Sequence, residues 1–287
     1  MAFNFQTFRT RALTAVVFVL VMLAGLLWNP WSFLFLFSVI HLGCWMEYQK
    51  LVGLIKPAYR QVSPLHKYGI ILAGWGFMLW MTDNNYPIAN FFLSKIGYWI
   101  FLVSVGVLII SAVLFFKKIN PRLLAHSAMG FLYISVSLSL MMRLWGNIHQ
   151  TVFMGENWLM PVILIASIWI NDTMAYIVGS FIGKTPFSPI SPKKTWEGTI
   201  GGAILAVLAV VLIGFYGFHF QLKTLLLISL TAAIAGTAGD LFESKLKRLA
   251  DVKDSGQIMP GHGGFLDRFD SLLLATTAVW IVFYLLY

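Results

Sequence analysis

The sequence predicts an all-α polytopic membrane protein of about nine transmembrane helices, with the N-terminus cytoplasmic and the C-terminus outside. Three observations predict it. Of the 287 residues, 59% are hydrophobic and 11% are charged, where a soluble domain carries roughly 45–50% apolar and about 25% charged residues. Apolar stretches near the ~20 residues that a bilayer demands follow one another along the whole chain. The basic residues alternate between the intervening loops, as orientation in a membrane requires. One cysteine, Cys44, makes no intrachain bridge, which excludes a disulfide-stapled secreted domain. The formal charge of +9 in so apolar a chain marks cytoplasmic loops and anionic lipid rather than nucleic acid.

The first stretch, residues 12–28, follows Arg9 and Arg11 as a signal peptide would. It ends in Leu27-Trp28-Asn29-Pro30 with no small-residue cleavage site, so it reads as a retained span. Stretches 31–46 and 68–81 are short for a full crossing, and a re-entrant segment is the alternative for one of them. Stretches 97–116 and 121–142 are of full length. Stretch 159–181 is interrupted by Asn171-Asp172-Thr173. Stretches 199–218, 222–239 and 271–287 complete the series. With nine spans and the N-terminus inside, all but three of the 20 Lys and Arg fall on inner segments, the exceptions being Lys95, Arg143 and Lys223. No internal repeat or soluble domain is visible. Residues 1–287 are expected to form one membrane domain, with an N-terminal helical part, 1–150, and a part carrying the polar motifs, 151–287.

Acidic residues are scarce, so their placement is informative. Six of the eleven are Asp240, Glu243, Asp251, Asp254, Asp267 and Asp270. The run 232–239 is built of small residues that let helices approach closely. If the helix continues past it, Asp240, Glu243, Ser244 and Lys247 share one face. Further on, Pro260-Gly261-His262-Gly263-Gly264 cannot be a good helix interior. Its glycines allow positive φ and close approach of a ligand to backbone N–H groups. Asp267 and Asp270 then fall in the first turn of the last helix, where simple capping explains one acid but not the whole motif. In the sixth span, Asp172 is an intramembrane charge, costing about 2.5–3.5 kcal/mol at mid-bilayer, and a functional candidate by default. A structural hydrogen bond is its bland alternative. The loop after it, with Ser191-Pro192-Lys193-Lys194-Thr195, is held extended by prolines and offers ammonium and hydroxyl donors to a phosphate.

Oxygen ligands, basic residues and a glycine loop at one membrane face point to phosphoryl or nucleotidyl transfer. Zinc is disfavoured, because the one cysteine and the histidines (His41, His66, His126, His149, His219, His262) show no paired ligand spacing. No G-x-S-x-G elbow and no Walker A sequence is present.

The residues Ser244-Lys245-Leu246-Lys247-Arg248, Lys253-Asp254 and the run from Pro260 to Asp270 closely resemble the signature of phosphatidate cytidylyltransferases (CDP-diacylglycerol synthases). Asn171-Asp172-Thr173-x-Ala175-Tyr176 and the run from Ser191 to Gly198 resemble the bacterial members. Arg11 and Trp45-x-Glu47 do so weakly. The resemblance implies transfer of a cytidylyl group from CTP to phosphatidate, with CDP-diacylglycerol and pyrophosphate as products. It also implies a multi-pass homodimer in the cytoplasmic (inner) membrane and dependence on Mg²⁺ or Mn²⁺, with K⁺ as a second ion. By that analogy Asp240 and Asp267 match the metal ligands. Lys247, Arg248 and Arg268 would then meet the nucleotide phosphates, and Gly261, His262, Gly263 and Gly264 would line them with backbone N–H groups. Ser244 would touch phosphate or metal, and Asp172 would complete the acidic centre. Lys193 and Lys194 would hold the lipid headgroup, with Asn171, Thr195, Lys253, Asp254 and Asp270 lining the substrates. Two rivals stay open: a CTP-dependent polyprenol or phytol kinase, which releases CDP, and an ion-coupled transporter using the acidic cluster as a path.

Overall fold

Local chemistry sets where the first helices begin. In the computed structural model, which describes residues 5–83, 86–88, 91–114, 121–145, 158–257 and 263–286, α1 (Phe5–Leu27) ends just before Asn29. Asn29 caps α2 (Pro30–Ile55) reciprocally with Ser32: the Asn29 N–H donates to Ser32 Oγ (3.1 Å), and the Ser32 N–H donates to Asn29 Oδ1 (2.9 Å). Pro30 stands at the first position, where its missing N–H costs nothing. A short 3₁₀ turn, Pro57–Gln61, leads to α3 (Pro64–Trp80), which Ser63 caps. Next come a two-residue antiparallel pair, β1 (Pro87–Ile88) with β2 (Phe91–Phe92), and α4 (Leu93–Leu114). Beyond it, α5 (Pro121–Gly130) passes through a π-helical stretch, Phe131–Val136, into α6 (Ser137–Trp145). α7 (Leu159–Ile182) is followed by an antiparallel hairpin, β3 (Pro186–Ser188) with β4 (Ser191–Thr195). α8 (Trp196–Leu212), α9 (Leu222–Leu249) and α10 (Leu266–Leu286) complete the chain.

Among the described residues, the nine apolar stretches lie mainly in helix. Among the described residues, six helical segments are long and apolar enough to cross a membrane: Leu93–Val113, Leu123–Trp145, Leu159–Ile182, Trp196–Gly217, Leu222–Leu249 and Leu266–Leu286. Two of the others fall short for physical reasons. α3 has 17 residues, and α2 is diluted by His41, Glu47, Gln49 and Lys50. The protein is an all-helical, multi-pass membrane protein. Side chains such as Val103, Ile109 and Val113 on α4, and Ile200, Ile204 and Leu208 on α8, are exposed, as suits helix faces that meet lipid.

The chain divides into two compact units, Met1–Ser135 with Leu249–Phe269 and Val136–Arg248 with Asp270–Tyr287. In the first, α3 and α4 approach closely at glycines: a β-carbon on Gly76 would lie 2.7 Å from the Phe101 nitrogen. Trp45, Tyr48 and Tyr59 are fully buried. Their polar ends are satisfied by Ser135 Oγ (2.9 Å), the His126 carbonyl (2.8 Å) and Ser127 Oγ (2.9 Å) respectively. In the second, α7 and α8 meet through Gly198 and Gly202, where a β-carbon would collide with the α7 backbone. Leu164, Ala206, Leu225, Ile228, Leu273 and Val279 fill its core.

Candidate active site

α9 continues unbroken from its apolar half through Asp240 to Leu249. Asp240, Glu243, Ser244 and Lys247 therefore share a face, as the spacing requires. Gly239 sets what this face meets. A β-carbon there would overlap the Asp270 carbonyl, so only glycine lets the α9 and α10 backbones come this close. Asp270 is thereby brought against Asp240 and Glu243, and one oxygen from each of the three lies within 4.8 Å of the others. Glu243 is wholly buried and Asp270 nearly so. Burying carboxylates is costly unless cations balance them. Lys247 pairs with Glu243, and Lys194 reaches over from β4 to pair with Asp240. Ser244 Oγ donates to Asp240 Oδ1 at 3.4 Å.

Beside this trio opens a cavity of about 430 Å³, lined by Asn171, Asp172, Lys193, Lys194, Thr199 and Asp240 among others. It thus gathers Asn171, Asp172, Lys193, Lys194, Thr195 and Asp240, which the sequence singles out from three separate stretches. The hairpin that carries the lysines is fixed at its base. The Lys184 N–H and the Thr185 N–H and hydroxyl donate to the Glu197 carboxylate at 2.8–3.2 Å. Thr195 also caps α8, accepting from the Gly198 N–H at 3.2 Å.

In the first unit, the segment before α10 is organised by two acids. Asp267 Oδ2 accepts from the Ser255 N–H, the Ser255 hydroxyl and the Gly264 N–H, each at 2.8 Å. Glu47, only 7% exposed, accepts from the Phe265 N–H (2.9 Å), the Leu266 N–H (2.8 Å) and the Ser255 hydroxyl (2.7 Å). Gly263 takes φ +82°, the left-handed conformation that glycine tolerates. The Gly264 N–H, expected to face a phosphate, is directed to Asp267. Gly261 and His262 lie outside the described residues.

The model of the cytidylyltransferase family matches residues 9–286. The chain belongs to the cytidylyltransferase family. A phosphatidate cytidylyltransferase of Haemophilus influenzae is 32% identical to this chain over 93% of its length and 95% of the relative's. One of Thermotoga maritima is 31% identical over 85% and 91%. One of Staphylococcus haemolyticus is 49% identical over 37% of this chain and 42% of its own. The chain thus aligns with about half the length of the staphylococcal relatives and with nearly all of the Haemophilus protein.

The remaining signature residues are at the surface. Arg248 lies in the last turn of α9, Lys253 and Asp254 in the loop after it, and Arg268 in the first turn of α10; all four are exposed. Asp240 and Lys247 belong to the second unit, and Asp267 and Arg268 to the first. Two acids gain importance only from the structure. Glu243 stood in the sequence as part of a stripe, and Glu47 as a faint resemblance. The available signal for Glu47 was a lone acid at the end of an apolar helix, among Lys50, Lys56, Arg60 and Lys67.

Proposed function

We propose that this protein is a phosphatidate cytidylyltransferase that makes CDP-diacylglycerol and pyrophosphate from CTP and phosphatidate. The observation that carries the reading is the trio Asp240, Glu243 and Asp270, set beside a lysine-lined cavity in a membrane-embedded unit. An oxygen-only donor set suits a hard divalent cation and not zinc, and Asp240, Glu243 and Asp270 would hold it. Bound there, Mg²⁺ or Mn²⁺ would supply positive charge to balance that of the triphosphate.

The residues of the chain do the rest by placement and electrostatics. Lys193 and Lys194 attract the lipid phosphate into the cavity. Lys247, Arg248 and Arg268 balance the nucleotide phosphates. Asp267 keeps the metal-binding role that the signature gives it. The phosphatidate phosphate is ionised at neutral pH, so its oxygen attacks the α-phosphorus of CTP without a general base. The new P–O bond forms as the bond to the β-phosphate oxygen breaks, and pyrophosphate leaves with the electron pair. We further place the protein in the inner membrane as a homodimer with nine spans, N-terminus inside and C-terminus outside, and K⁺ as the second ion.

The decisive assay uses the purified protein with CTP, phosphatidate and Mg²⁺, and measures nucleotide products and liponucleotide together. Equal amounts of pyrophosphate and CDP-diacylglycerol are expected. Release of CDP would make it a kinase; ion flux in liposomes without CTP consumption would make it a transporter.

A further inference from the structure

We propose that Glu47 is a positioning residue for the transfer: acting through Ser255, it holds the Asp267 carboxylate in its working orientation. This rests on the role given to Asp267 above. A carboxylate as buried as that of Glu47 is costly unless its oxygens are satisfied. Its three donors all come from the segment between Ser255 and Leu266, at least 208 residues away in sequence. The surroundings are cut to admit it. β-carbons on Gly256 and Gly264 would overlap its carboxylate, and one on Gly43, a turn earlier on α2, would overlap the Phe265 ring. α2 thus grips the segment twice, with an apolar notch at Gly43 and an anionic hook at Glu47.

The link to Asp267 is the Ser255 hydroxyl. It lies 2.7 Å from Glu47 Oε2 and 2.8 Å from Asp267 Oδ2. A hydroxyl has one proton to donate, so the two acids share it. Displacing either acid moves the serine, and Ser255 also donates its N–H to Asp267. Capping of α10 alone would need only the Phe265 and Leu266 N–H groups, with no hydroxyl joining the two acids. The arrangement is the outer support that fixes a ligand's orientation, a kind whose loss typically costs about tenfold to a hundredfold in activity or metal affinity.

The test compares Ser255→Ala, Glu47→Gln and the double variant with Asp267→Asn, all as full-length protein in mixed micelles. Ser255→Ala deletes the shared hydroxyl and leaves both of Glu47's backbone bonds in place, so it stays informative even where Glu47→Gln fails to fold. Both single variants are expected to lose about tenfold or more in kcat and to need more Mg²⁺ for half-maximal rate. The KM for phosphatidate and, for Ser255→Ala, the unfolding temperature should stay near the parent's. The double variant is expected to lose less than the product of the single losses, because both act through one chain of bonds. Parental kcat and Mg²⁺ dependence in both single variants, with only a lower unfolding temperature, would reduce Glu47 to a cap and overturn the proposal. Losses that multiply in the double variant would overturn it too. If Asp267→Asn is inactive while those variants are not, only this inference fails; if Asp267→Asn turns over normally, the role of Asp267 itself is withdrawn.

Discussion

Asn171 buries a side-chain oxygen that finds no partner among the described residues, while its amide nitrogen donates to Asp172 at 3.4 Å. An unsatisfied buried acceptor costs about 1–3 kcal/mol, so a donor arriving with substrate is favoured. An ionised lipid phosphate offers only acceptors. A ribose hydroxyl or the cytosine amino group offers donors. Asn171→Leu should therefore raise the KM for CTP and leave that for phosphatidate unchanged, measured by varying each substrate in turn. Lys194→Ala should do the reverse, and a larger effect on CTP would reassign that lysine to the nucleotide. Asp240→Asn and Asp270→Asn should each remove most turnover while the protein still inserts. Parental activity in either at limiting Mg²⁺ would defeat the metal assignment. Asp172, Asp240 and the two lysines were legible in the sequence because a charge in an apolar stretch, or a charge run at its edge, is conspicuous. Glu47 was not, because its worth comes from donors on a distant segment.

Helix periodicity carried the reading at the level of elements. The stripe from Asp240 to Lys247 followed from 3.6 residues per turn once α9 was allowed to continue, and it does continue. Periodicity could not say what that stripe would face. The partner is α10, and Gly239 admits it. Gly239→Ala puts a methyl group against the Asp270 carbonyl, a backbone atom that cannot rotate away. Overpacking of this kind costs about 1–3 kcal/mol. The expected result is a modest fall in unfolding temperature with a much larger fall in kcat, because the three carboxylates separate. Equal turnover by folded Gly239→Ala protein would show that the spacing is not critical. The proline-rich stretch after α7 read as merely extended. It folds into the β3–β4 hairpin, since proline fixes φ but says nothing of a strand's partner.

For the whole molecule, composition and stretch length were enough for an all-helical membrane protein, because both report directly on the solvent a helix needs. The division into units was not legible: residues 249–269 belong with the first unit, and contacts such as those of Glu47 across two hundred residues leave no local pattern. The side on which everything after α3 lies turns on whether α3 crosses. Its 17 residues rise about 25 Å at 1.5 Å each, against a hydrocarbon core of about 30 Å. Lys67 in its first turn and Trp80 at its end would let it span with little slack, since a lysine can snorkel and a tryptophan favours the interface. Single cysteines decide it, and Cys44 is fully buried and so silent to a membrane-impermeant maleimide. With nine spans and the N-terminus inside, Lys95→Cys and Lys223→Cys label from outside intact cells, whereas Lys56→Cys and Lys253→Cys label only after permeabilisation. Labelling of Lys56→Cys and Lys95→Cys from the same side would make α3 a re-entrant segment. Because each crossing inverts everything that follows it, Lys223→Cys and Lys253→Cys would then exchange sides relative to the N-terminus.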